Sequence, residues 1–126
     1  MSTTTTDRLS TVMAADAAVS AASGLVLALA AGPLGAWFDL TTSVVAAVGV
    51  LFVGHGAILW RTGRRPDRLR AGARYGVVAN LVWVTAAVVV ATTGLLTATA
   101  TIALVVVSLV AGAFGVTQWR LLLSRY

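Results

Sequence analysis

The segment from Leu40 to Arg74 reads LTTSVVAAVGVLFVGHGAILW followed by RTGRRPDRLRAGAR. Its first part, through Trp60, is apolar and long enough to cross roughly 30 Å of hydrocarbon, which takes about 20 helical residues. Its second part, 61–74, carries Arg61, Arg64, Arg65, Arg68, Arg70 and Arg74 against the single acid Asp67. An apolar run of that length stopping at a basic segment marks a transmembrane helix with a cytoplasmic end. Alternation with period two is missing, which disfavours a barrel strand. In hydrocarbon a lone segment satisfies its own backbone only as a helix.

Three more runs of the same kind flank this one: Val12–Ala31, Tyr75–Thr93 and Ala98–Trp119, the last extending to Leu123 if Leu121-Leu122-Leu123 continue it. Gly32-Pro33 breaks the first connection, Gly63 and Pro66 the second, and Gly94 the third. Arg8 precedes the first span, and Arg120 and Arg125 follow the last. The first and third connections hold no basic residue, and the first carries Asp39. All nine basic residues therefore fall on one side, which places both termini in the cytoplasm.

The expected fold is all-α, a polytopic membrane protein with four transmembrane helices in an up-down bundle, N-in and C-in. A frayed cytoplasmic tail, 1–11, leads into a single transmembrane domain, 12–123, whose cytoplasmic Arg-rich loop is 61–74; residues 124–126 form a cytoplasmic C-terminus. Trp60 and Trp119 each stand just before an arginine at one boundary, and Trp37 lies at the other, where amphipathic rings settle. A cleaved signal peptide ending at Ala28-Leu29-Ala30 fits poorly, because the apolar run is too long and Asp16 interrupts it.

Composition excludes the other classes. Of 126 residues, 59% are hydrophobic and 10% charged, whereas a soluble domain carries about 25% charge. A soluble fold of this length has too small an interior to hide so much apolar surface, and a disordered chain would be polar. With no cysteine there is no disulfide scaffold, thiolate metal site or CxxC chemistry. The +5 charge sits in short segments between spans, so it reads as topology rather than nucleic-acid binding. The expected partners of the six loop arginines are anionic phospholipids, at about 1 kcal/mol each.

Polar residues inside the spans are the candidate site. Asp16 lies roughly 6 Å inside the first span, and His55 and Asn80 roughly 7.5 Å inside the second and third, at 1.5 Å per residue. Gln118 joins them if the fourth helix runs past Trp119. Trp83 also falls well inside, and its indole N–H needs a partner or a wet cavity. Asp16, Ser20, Ser23 and Leu27 share one helical stripe, and Ser20-x-x-x-Gly24 lets another backbone come close. A carboxylate facing lipid is costly, so Asp16 should face the bundle. Two roles compete for this layer. The polar groups pin helix register, which fits Gln118, Ser20 and Ser23 best, or they form a cytoplasm-facing binding or proton-handling site, for which the titrating pair Asp16 and His55 is the core.

The machinery of ordinary enzymology is scarce: there is no Ser-His-Asp set with plausible spacing, no Gly-rich phosphate loop and no HExxH. One histidine and no cysteine rule out bis-histidine haem within the chain, and no cofactor or metal site is expected. Ala15-Asp16-Ala17 opening the first helix, Asn80-Leu81-Val82-Trp83 in the third and Gln118 near the end of the fourth resemble an uncharacterised family of small four-helix actinobacterial integral membrane proteins. That resemblance implies an inner-membrane location and joint action of Asp16, Asn80 and Gln118, and it supplies no activity. The expected function is binding or transport of a small ligand or ion at the polar layer, in a homo-oligomer or a larger membrane complex. The alternative is a non-catalytic accessory subunit whose polar residues serve packing alone.

Overall fold

The computed structural model describes residues 3–124, all of whose regular elements are helical: α1 (Thr3–Leu29), α2 (Ala31–Phe38), α3 (Thr42–Gly63), α4 (Leu69–Thr92) and α5 (Ala98–Leu123). Four of these, α1, α3, α4 and α5, have 22 to 27 residues and are apolar enough to cross a membrane, roughly 33 to 40 Å at 1.5 Å per residue. Their outward side chains are large and apolar; Leu29 is 86% exposed and Leu51 and Leu109 are each 69% exposed. In water such a surface would drive association. Against lipid it is what a spanning helix requires. The chain is built as a multi-pass membrane protein.

The bundle consists of two antiparallel hairpins, α1 with α3 and α4 with α5, closely packed within each and sparsely between. Small residues set the first hairpin. A Cβ added at Gly49 would stand 2.6 Å from the Ala28 backbone nitrogen and 2.7 Å from the Gly24 carbonyl oxygen. At Gly56 it would stand 2.8 Å from the Ala17 carbonyl oxygen. The helices approach backbone to backbone along this line, the contact that small-xxx-small spacing permits in lipid. Ser10 Oγ donates to the Gly63 carbonyl at 3.0 Å and fastens the end of the same hairpin.

The end bearing the chain's basic residues, here the arginine side, is more helical than the hydropathy boundaries indicate. The tail expected to fray is helix from Thr3, with Thr5 and Leu9 buried in line with Met13 of the first span. They lie at strict i, i+4 spacing on the face that continues to Ala17. Leu9, Met13 and Ala17 pack with Leu59, Leu69 and Ala73 into an apolar plug, against which Tyr75, Leu121 and Leu122 rest. Burial of that stripe supplies the helix with stability that polar neighbours such as Asp7 and Arg8 conceal. Likewise α4 starts at Leu69 rather than Tyr75, and α5 continues to Leu123. The Arg-rich loop of 61–74 thus contracts to residues 64–68. Arg61, Arg70 and Arg74 sit on helix ends with exposed heads, as arginine, a good helix former that reaches out to polar surroundings, allows. Arg125 and the first two residues lie outside the described residues.

The opposite end, here the far side, holds one more helix than expected. Gly32-Pro33 does not simply break the chain; it opens α2. Pro33 sits in the first turn of α2, where a missing N–H costs nothing. Asp39 closes α2 in the left-handed region at φ 55°, which Asp tolerates better than most residues. The Leu40 amide then donates to the Gly35 carbonyl at 2.8 Å. Thr41 and Thr97 cap α3 and α5 through their hydroxyls. Gly94, at φ +71°, makes the turn between α4 and α5. Gly94→Ala is expected to lose about 1 kcal/mol of stability through that left-handed conformation. Gly32→Ala, in open space on a helix, should lose none. Equilibrium unfolding in mixed detergent checks the pair.

Candidate functional site

Asp16 is the centre of the polar layer. It is 2% exposed and held on α1 between the plug residue Met13 and the close-packed Ala17. Ser20, one turn along the same helix, donates its hydroxyl to Asp16 Oδ1 at 3.0 Å. From α4, Asn80 Nδ2 donates to Asp16 Oδ2 at 3.1 Å. From α5, Gln118 Nε2 donates to the same oxygen at 2.8 Å. From α3, His55 Nε2 stands 3.6 Å from Oδ1, too far for a hydrogen bond. All four spanning helices thus meet at one carboxylate.

The glycines explain how they reach it. A Cβ at Gly76 would run into Gln118 Oε1 and stand 3.1 Å from Leu59 Cδ2. Gly76 therefore makes the space in which the Gln118 amide lies fully buried. Gly115 does the same for Asn80, whose Cβ would be 3.2 Å from an added methyl. Because an ionised carboxylate is acceptor-only, both amides must present NH₂ to Asp16. That leaves Gln118 Oε1 turned towards Gly76, buried without a hydrogen bond.

His55 stands between this carboxylate and Tyr75. Its Nδ1 is 3.0 Å from the Tyr75 hydroxyl, and the two rings lie tilted with centroids 5.4 Å apart. With Nε2 protonated, Nδ1 accepts from the tyrosine O–H, while Nε2 faces Asp16 without reaching it and is buried without a hydrogen bond. Tyr75 stands at a hydropathy boundary, which conceals it, and Ser20 has the helical spacing of a packing residue. The signal for Tyr75 was the i, i+4, i+8 stripe of Tyr75, Ala79 and Trp83. For Ser20 it was the i, i+4 relation to Asp16.

A cavity of about 410 Å³ starts at the layer and extends towards the far side between the two hairpins. Asp16, His55 and Asn80 form its polar end, and Phe52, Trp83 and Phe114 contribute aromatic wall. On the arginine side of Asp16 lies the apolar plug of Leu9, Met13, Leu59, Leu69 and Ala73. The layer was expected to open towards the arginines; the plug closes that approach and the open volume lies on the other side. The physical reason is the helical stripe Thr5, Leu9, Met13 and Ala17, which fills the arginine end with side chains, while small residues and seam geometry leave the middle empty.

Trp83 makes no hydrogen bond to the layer. Its ring meets Phe52 edge-on, centroids 4.9 Å apart at 74°, and its Nε1 is buried without a partner. A stranded buried donor of this kind costs about 1–3 kcal/mol. The six arginines Arg61, Arg64, Arg65, Arg68, Arg70 and Arg74 are all exposed, and none lines the cavity. Arg64 lies over the Trp60 ring at 5.1 Å, and Arg68 is 3.9 Å from Asp67 in the open, a pair worth little. Among the described residues no three His, Cys, Asp or Glu side chains converge on a metal position. No protein-family model matches the chain, and no curated protein or solved structure matches it either.

Proposed function

We propose that this chain is a multi-pass protein of a bacterial cytoplasmic membrane, both termini inside, which binds or transports a small ligand at the Asp16 layer. The orientation and location rest on the one-sided arginines and on the likeness to small actinobacterial membrane proteins. The observation that carries the function is a buried carboxylate forming the polar end of a 410 Å³ cavity between two sparsely joined hairpins. An ionisable residue inside the membrane is expensive to keep and by default marks a functional site, and apolar cavities with a few convergent polar groups are the usual form of small-molecule sites. Transport, as opposed to binding, requires the plug around Leu9 and Leu59 to part from the arginine side, and the seam between hairpins is where it would do so.

The accessory alternative has its own support. Asp16 already accepts from Ser20, Asn80 and Gln118, enough to serve as a clamp on α1, α4 and α5 with no ligand. In that role the exposed arginines would sit on anionic lipid and the chain would work as a homo-oligomer or within a larger complex. Native mass spectrometry from gentle detergent, wild type beside Asp16→Asn, separates the two. A small molecule retained by the wild type and lost from a folded Asp16→Asn is the expected result. A wild type that carries no small molecule, or only another protein that Asp16→Asn keeps, would favour the accessory role.

A further inference from the structure

The unused polar groups of the cavity specify what kind of molecule it takes, given that the cavity is the binding site. The carboxylate of Asp16 is already committed: Oδ1 accepts from Ser20 and faces His55, and Oδ2 accepts from Asn80 and Gln118. A cationic ligand would have to share those oxygens with the donors already on them. Two of the cavity's lining residues hold a ring nitrogen buried without a hydrogen bond, His55 Nε2 beside Asp16 and Trp83 Nε1 further along the cavity; the indole N–H can only donate. Trp83 also lines a second cavity of about 540 Å³ that continues to the far side. Ser23, Phe52, Trp83 and Val107 border both cavities, so the Phe52–Trp83 edge contact is the partition between them. The far cavity is walled by apolar side chains such as Val26, Leu34 and Leu104, and it offers no counter-charge.

We infer that the site takes a neutral, lipid-soluble molecule whose carbonyl-type oxygen accepts from Trp83 Nε1, with an apolar body lying along the seam between the cavities. The molecule enters from the far side or from the bilayer, since the plug closes the arginine side. Its oxygen satisfies a donor that the fold leaves stranded, and a site built around a donor rejects an analogue lacking the acceptor. Asp16 and His55 then act as positioning residues that keep the polar end of the cavity shaped.

Three probes of one framework test this on the whole chain in bilayer nanodiscs: benzophenone, diphenylmethane and protonated diphenylmethylamine. The readouts are affinity and the indole N–H resonance of Trp83, identified by its disappearance in Trp83→Phe. Benzophenone should bind about tenfold or more tightly than diphenylmethane and shift the Trp83 resonance. In Trp83→Phe the two should bind about equally. Comparable binding of all three by the wild type overturns the ligand class while leaving the cavity a site. So does tightest binding of the amine with dependence on Asp16. If no probe binds or shifts any cavity residue, the cavity is not a binding site and the function proposed for it falls as well.

Discussion

Gly24→Leu is expected to separate α1 from α3 and to abolish the folded bundle. A Cβ at Gly24 would lie 2.5 Å from the Gly49 carbonyl oxygen and 2.7 Å from the Val53 amide nitrogen. Both neighbours are backbone, so no rotamer change relieves the clash. Overpacking in a core that can adjust costs about 1–3 kcal/mol; here two rigid helices must move apart, and the loss should exceed that range. Because proteins hold only about 5–15 kcal/mol in all, the variant should fail to show a cooperative unfolding transition. Gly54→Leu is the matching control, since a Cβ at Gly54 meets nothing within 4 Å. A Gly24→Leu protein that unfolds like the wild type would show that the α1–α3 contact is not as described.

The second large effect is expected from Asp16→Leu. Leucine strands the donors of Ser20, Asn80 and Gln118 and leaves His55 facing a methyl group. Interhelical polar contacts in membranes average about 0.6 kcal/mol, while a stranded buried donor costs about 1–3 kcal/mol. Three such losses, from about 0.6 to about 3 kcal/mol each, predict a drop of about 2–9 kcal/mol in mixed-detergent unfolding. Asp16→Asn should behave differently. Its amide oxygen still accepts, and the Asn80 and Gln118 amides can turn to present oxygen to its NH₂, so the loss should stay below about 1 kcal/mol. If Asp16→Leu were as stable as the wild type, the carboxylate would not be the joint between the hairpins.

The number of spanning helices, the shared depth of the polar residues and the membrane setting were legible because each depends on counting along the chain. Asp16, His55, Asn80 and Gln118 lie at matched depths, and depth follows from rise per residue alone. Facing does not, and that is where the sequence was silent. Nothing in the run from Thr3 to Thr11 exceeds the hydropathy of a tail, yet Thr5 and Leu9 are buried, because one stripe of α1 packs against α3 and α4. The same packing lengthens α4 back to Leu69 and closes the approach to Asp16 from the arginine side. The short helix α2 was hidden by Gly32-Pro33, a pair that marks a break in a helix interior and a start in a first turn. Tyr75 was hidden by its place at a hydropathy boundary, although its hydroxyl meets His55.

The meeting of Asp16 with Gln118 across the width of the bundle is the joint on which both the fold and the proposed site depend. Solid-state NMR in lipid bilayers measures it directly, through the dipolar coupling between the Asp16 carboxyl carbon and the Gln118 side-chain nitrogen. A Gln118 Nε2 that donates to Asp16 Oδ2 at 2.8 Å gives a strong coupling, abolished in Gln118→Leu. No measurable coupling in the folded wild type would mean that the layer does not close around Asp16, and the cavity end assigned to it would have to be given up.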